Sequence, residues 1–203
     1  MTVYPAPAKL NLFLHVVGRR SDGYHELQTF FQLLDYCDSL SFSLRTDGVI
    51  TRHGGAGLPE RDMTIRAAQC LKAFAGVSAG VDIALEKRIP AAAGLGGGSS
   101  DAATVLLALN KLWGVHAETS ELAELGLALG ADVPVFVRGA SAWAEGVGER
   151  LISGSGPPVL YCVLIPPVPV STATVFADPE LTRNAPRIRI PPLFAGDLRN
   201  DME

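Results

Sequence analysis

PAAAGLGGGSSDAA, residues 90–103, lies between an alternating apolar run, Val81, Ile83 and Leu85, and the apolar helical run Ala102 to Trp113. The order is strand, glycine loop, helix. From Gly94 to Ser100, Leu95 aside, almost no side chain obstructs approach to the backbone. Amides of such a turn, with the free N–H groups and positive dipole end of the following helix, converge on anions. Ser99 and Ser100 are of the type that caps a helix and offers hydroxyls to phosphate or magnesium. A Gly/Ser linker or a tight structural turn would also fit the composition. A linker, however, has little reason to sit between a strand and a helix of one domain. No Lys follows the last glycine, as a Walker loop requires, and Ser99 stands where a Rossmann fingerprint has its third glycine.

Outward from the loop, the pattern is mixed. Leu10, Leu12, Leu14 and Val16 share a strand face, and Leu40, Phe42 and Leu44 alternate with Ser39, Ser41 and Ser43. GRRSDG, residues 18–23, carries turn chemistry. His53 to Pro59 reads as a loop, and Ile65, Ala68, Leu71 and Ala75 recur at helical spacing. Downstream, Ser120 to Leu129 is expected to be a helix with Ser120 as N-cap, and Ala142 to Val147 and Val159 to Ile165 are expected strands joined by Ser153 to Pro158. The fold class is α+β without internal repeats.

With 203 residues, 48% hydrophobic and 19% charged, the chain holds one large domain or one and a half ordinary ones. Its net charge of −4 excludes a basic-surface binder of nucleic acid or anionic lipid. Cys37, Cys70 and Cys162 form no CxxC pair, and His15, His25, His53 and His116 have no metal-ligand spacing. Prolines at 157, 158, 166, 167 and 169 interrupt the longest apolar stretch, and Asn11 and His15 interrupt the run after Lys9, so neither a membrane span nor a signal core is expected. The expected location is the cytoplasm.

Residues 90–103 resemble the phosphate-binding motif of the kinase superfamily named for galactokinase, homoserine kinase, mevalonate kinase and phosphomevalonate kinase. PAKLNLFLHVVGRRSDGYHEL, residues 7–27, resembles the amino-terminal signature of one branch, the 4-diphosphocytidyl-2-C-methyl-D-erythritol kinases. GADVPVF, residues 130–136, resembles that branch's catalytic segment, and VFADPELTRNAP, residues 175–186, extends the likeness. The resemblance implies a domain like ribosomal protein S5 domain 2 over residues 1–155 and the start of a ferredoxin-like domain over 156–203. It implies ATP, with magnesium from the reaction class, and phosphorylation of the 2-hydroxyl of a methylerythritol carrying cytidine diphosphate.

By the same resemblance Asp132 is the general base and Lys9 its partner. Pro90, Ala91, Ala92, Ala93, Gly94, Leu95, Gly96, Gly97, Gly98, Ser99 and Ser100 hold the nucleotide phosphates, and Lys87 lies at the adenine pocket. Tyr24 stacks on cytosine, His25 contacts its edge, Phe176 closes the other face and Asn11 meets the substrate near the reacting end. Each residue has a plainer reading. Asp132 is placed to cap a helix, Lys9 and Lys87 to be solvated, Asn11 to line an exposed strand face and Tyr24 to fill core. A sister kinase for homoserine or mevalonate, or a nucleotide-binding module without catalysis, would share the glycine loop. The motifs specify neither metal ligands nor oligomeric state.

Three features depart from the family pattern. Asp62-Met63 replaces a common Asn-Leu pair, and Ala92 and Ala93 stand where some members have glycine, which is harmless if these positions need no positive φ. No third glycine motif follows Asp132, so the chain is expected to match roughly the first seven tenths of a member and to be a poor kinase alone. Asn200, Asp201 and Glu203 read as a helix start.

Overall fold

A computed structural model describes residues 2–156, 159–165, 172–188 and 199–202. The chain packs as two compact units. Met1–Ala8, Leu34–Ala91 and Gly96–Gly139 form one, and Lys9–Leu33, Ala92–Leu95 and Ala140–Glu203 the other.

In the first unit β3 (Ile50–Gly54) runs parallel to β4 (Gly80–Glu86), with Ile50 opposite Val81. β4 pairs antiparallel with the far half of β2 (His25–Arg45), from Ser39 opposite Glu86 to Arg45 opposite Gly80. The loop expected from His53 is therefore partly strand, because the ladder to β4 overrides the weak β propensity of His53-Gly54. Helix α1 (Met63–Ala75) starts at Asp62, whose carboxylate accepts from the Thr64 and Ile65 amides, so Asp62 does the capping work an Asn would do. Helix α2 (Gly97–Leu112) begins five residues before the apolar run that announced it. Helix α3 (Thr119–Leu127) is capped not by Ser120 but by Glu118, in a reciprocal box with Glu121. The short α4 (Val133–Arg138) packs on α2 and α3, and α1 packs on α2. Leu71, Ile83, Leu106, Leu109, Leu122 and Val133 form the buried interior.

In the second unit the near half of β2 pairs antiparallel with β5 (Ala142–Gly146), Leu27 opposite Gly146 and Phe31 opposite Ala142, and β5 continues to β6 (Arg150–Ser153). β1 (Tyr4–Arg19) pairs with β2. Phe13, Phe30 and Trp143 pack together against Leu12 and Ile188. Phe13 to Val16 are all buried, so the alternation read from Leu10 to Val16 breaks where β1 is covered on both faces.

One expectation fails here. Val159 to Ile165 belongs to no strand, and Leu160 and Leu164 stand fully in solvent. Prolines on both sides of this run lack the N–H that a ladder needs. Asn200 and Asp201, read as the start of a helix, lie beside β1: the Leu14 amide donates to the Arg199 carbonyl at 3.1 Å, the Asp201 amide donates to the Leu14 carbonyl at 2.8 Å, and the Val16 amide donates to Asp201 Oδ2 at 2.9 Å. The remaining helix, α5 (Thr172–Ala177), is also short. Among the described residues no helix is long and apolar enough to cross a membrane.

Gly126 lets α4 approach α3. A Cβ there would lie 2.6 Å from Val133 Cγ1. Gly126→Ala is expected to cost about 1–3 kcal/mol by overpacking, measured as a shift in the urea midpoint.

Candidate functional site

The glycine loop is built around the start of α2. Gly96 is the N-cap residue, at φ 71°, a left-handed conformation that glycine adopts without penalty, and it has no side chain with which to cap. Gly97, Gly98, Ser99 and Ser100 are thus the first turn of the helix, not a loop before it. The amides of Gly97, Gly98 and Ser99 have no intrahelical acceptor by position, that of Ser100 donates to the Gly96 carbonyl at 2.9 Å, and no side chain caps the turn. Such an end binds an anion through both its amides and its dipole. The expected capping role of Ser99 and Ser100 falls, because both lie beyond the cap. Ser100 is instead buried, its Oγ without a hydrogen-bond partner.

A buried ion cluster supports this turn. Lys87 Nζ donates to Asp101 Oδ2 at 2.8 Å and also to Asp38 Oδ2. Oδ1 of Asp38 accepts from the amides of Arg88, at 2.5 Å, and Ile89, at 2.8 Å. Both carboxylates are buried. A Cβ on Gly97 would lie 3.1 Å from Lys87 Nζ and 3.0 Å from Ile89 Cγ2, so glycine there gives the ammonium its place. The solvated-lysine reading of Lys87 is thereby excluded. Burial pushes the Asp101 carboxyl up to about 7, against the pull of Lys87. Burial opposes the Lys87 charge, but its two carboxylate partners outweigh this and raise its pKa.

Asp132 occupies the N-cap position of α4 but has helical φ −85° and ψ −13°, and its side chain makes no capping hydrogen bond. The capping explanation therefore fails. Two residues earlier, Gly130 faces α2: a Cβ there would lie 3.7 Å from Ser99 Oγ and 3.4 Å from Met63 Cε. The first unit thus brings the Asp132 segment beside the first turn of α2, with Met63 filling the gap.

In the second unit, Lys9 is 6% exposed, which excludes a solvated lysine. Its Nζ donates to Asn11 Oδ1 at 2.5 Å and lies 5.4 Å from the centre of the Phe31 ring. Asn11 Nδ2 donates to Thr29 Oγ1 at 2.8 Å, and that hydroxyl donates to the Phe13 carbonyl at 2.5 Å. Because the hydroxyl proton goes to a carbonyl, Thr29 must accept from Asn11, which turns the amide oxygen toward the cation. Sequence reasoning missed Thr29, whose threonine on a strand gives no signal. The backbone of Lys9 donates to the Leu95 carbonyl at 2.9 Å, so β1 is fastened to the glycine loop one residue before Gly96.

Tyr24 is 65% exposed, which rules out core filling. Asp22 Oδ1 accepts from the Tyr24 amide at 3.1 Å, and the Tyr24 carbonyl accepts from the Arg20 amide at 2.7 Å, closing the turn. His25 and Phe176 stack face to face, 4.9 Å apart and 12° from parallel. One face of Phe176 is thus already covered by His25, an arrangement the sequence did not indicate. Arg183, also missed, joins this group.

Residues 62–140 match the GHMP kinases N terminal domain. A Thiobacillus denitrificans protein named 4-diphosphocytidyl-2-C-methyl-D-erythritol kinase is 58% identical over 202 residues, covering 98% of this chain and 73% of its own length. The chain belongs to the family of 4-diphosphocytidyl-2-C-methyl-D-erythritol kinases. A Halorhodospira halophila member is 56% identical over 207 residues, 100% of this chain and 72% of that relative. A solved 4-(cytidine 5'-diphospho)-2C-methyl-D-erythritol kinase, 44% identical, superposes with TM-score 0.74 over 87% of this chain and 63% of its own. The Methanococcus jannaschii mevalonate kinase, 13% identical with TM-score 0.58, shares the fold.

Against this family background Ala92 stands out, because its φ is 56°. The alanine occupies a glycine-type conformation, so the condition under which the substitution would be harmless is not met at Ala92. Ala92→Gly should stabilise the chain by about 0.5–1 kcal/mol, seen as a higher Tm.

Lys87→Met leaves two buried carboxylates without their cation and is expected to cost about 3–5 kcal/mol in urea unfolding. Asp101 also makes stability depend on pH. Its folded pKa of about 7 lies above the unfolded value of 3.8. Between these values the folded state holds a proton the unfolded chain has released, so this contribution falls as pH rises from about 4 to 7. The Tm of the wild type should therefore rise relative to Asp101→Asn on going from pH 8 to 6.

Proposed function

We propose that this chain carries the ATP-binding and proton-abstracting machinery of a cytoplasmic kinase. It transfers the γ-phosphoryl group of MgATP to the 2-hydroxyl of 4-(cytidine 5'-diphospho)-2-C-methyl-D-erythritol, in the non-mevalonate route to isoprenoid precursors. In this reading, residues 156–203 begin the ferredoxin-like part of the enzyme. The observation that carries it is the uncapped, glycine-opened first turn of α2 beside the Asp132 segment. A phosphate-binding helix end and a carboxylate beside it are what transfer to an alcohol requires.

An alcohol is a weak nucleophile at neutral pH. Asp132 accepts its proton as the oxygen attacks, and Lys9 supplies positive charge near the developing alkoxide. Asn11, its amide orientation fixed by Thr29, holds Lys9 and meets the substrate near the reacting end. Residues 90–100 cradle the phosphates with their amides. Lys87 serves the nucleotide side indirectly, by holding the loop rather than by touching adenine. Magnesium, implied by the reaction class, enters bound to ATP, because a phosphate-borne ion needs few protein ligands. Tyr24, His25 and Phe176 form the cytosine site, where a base stacks on the free face of an aromatic ring.

The test is a coupled ATP-consumption assay with the cytidylylated substrate beside homoserine and mevalonate. Turnover only with the first supports the reading, and turnover with the others in its place defeats it. Asp132→Asn should lower turnover by roughly 10²- to 10⁴-fold while leaving Tm and ATP affinity near the wild type. Methylerythritol phosphate lacking cytidine should lose both turnover and apparent affinity, because the remote binding energy that positions the hydroxyl is gone.

A further inference from the structure

Arg183 converges on the stacked pair from the segment after α5. Its Nη2 donates to the carbonyls of Phe176, at 3.0 Å, and Asp178, at 2.6 Å, and Nη1 donates to Leu181 at 3.1 Å. The guanidinium thereby closes the turn that carries Phe176. The Nε–H points at the imidazole and donates to His25 Nε2 at 3.3 Å. A guanidinium can only donate, so His25 Nε2 must accept, and the proton of the neutral ring sits on Nδ1.

We infer that Arg183 is a positioning and specificity-determining residue, which holds His25 in its Nδ1–H tautomer so that the ring offers a base edge one donor and no acceptor. This rests on the cytidine reading given above. The consequence is chemical selection. Cytosine has a lone pair at ring nitrogen N3, whereas uracil has an N–H there. A donor at Nδ1 pairs with the first and confronts the second donor to donor, and a site that leaves polar groups unpaired rejects the wrong ligand strongly. An unconstrained imidazole could exchange tautomers and satisfy either base. Stacking on Phe176 adds to the constraint by fixing the ring plane.

The charged groups acting on the imidazole are Arg183 and Arg19. With burial as the larger cause, they hold the His25 pKa below its ordinary value of 6.5. A protonated ring would have no lone pair for Arg183, so the neutral form and the hydrogen bond support one another.

The experiment uses the full 203-residue chain, with ¹⁵N resonances of the His25 ring followed from pH 6 to 8, and binding of CDP and UDP measured by calorimetry. The wild type should show a protonated Nδ1 and an unprotonated Nε2 at neutral pH, and should prefer CDP. In Arg183→Met the ring should populate the Nε2–H form and titrate nearer pH 6.5, and the preference for CDP over UDP should fall tenfold or more. A wild-type ring protonated on Nε2 overturns the proposal without recourse to any variant. So does a folded Arg183→Met protein that keeps both the tautomer and the CDP preference. If the wild type shows the Nδ1–H ring but binds neither nucleotide, the cytidine reading itself fails, and the selectivity inferred for Arg183 falls with it.

Discussion

Lys87 sits between two buried carboxylates, and the geometry of the glycine loop depends on that cluster. Asp38, on β2, uses one oxygen for Lys87 and the other for the amides of Arg88 and Ile89, fixing the point at which the chain leaves β4. Asp101, one turn into α2, receives Lys87 from the other side. The loop is thus held at both ends by one ammonium. Burying three ionisable groups is expensive, and the arrangement is more specific than it is stabilising. It fixes where an uncapped helix end points, which a glycine-rich segment could not do from its own weak preferences.

Much of the site was legible in the sequence because it is compressed into short, ordered motifs. The glycine loop, the segment around Lys9 and Asn11 and the segment around Asp132 each occupy a few adjacent positions, and local chemistry suffices to mark them. The plain readings of Lys9, Lys87, Tyr24 and Asp132 were undecidable from sequence because exposure and capping depend on what packs alongside. Burial of Lys9, the two carboxylates on Lys87, exposure of Tyr24 and the lack of a capping hydrogen bond from Asp132 resolve them.

What was illegible involves partners distant along the chain. Thr29 acts through Asn11, 18 residues away, and Arg183 through His25, 158 residues away. The start of α2 was misplaced because Gly and Ser have poor helix propensity, which the packing of Gly97 against Ile89 and Lys87 overrides. The misread strand at 159–165 errs in the opposite direction. Alternating apolar residues satisfy a strand pattern, but only a neighbouring ladder makes one, and prolines deny it.

Helix α4 has six residues, fewer than two turns, too short to persist in water without support. Its buried residues, Val133 to Val137, are held by α2 and α3, and α3 reaches α4 through a glycine contact with no slack. Asp132 therefore has no structure of its own to stand on. Its position belongs to the least autonomous piece of the first unit, while the turn proposed to bind the nucleotide belongs to a sixteen-residue helix anchored by ions. Partial opening of the molecule would separate the two proposed capacities, with the proton abstraction proposed for Asp132 lost under conditions where the proposed phosphate binding and most of the helical signal persist.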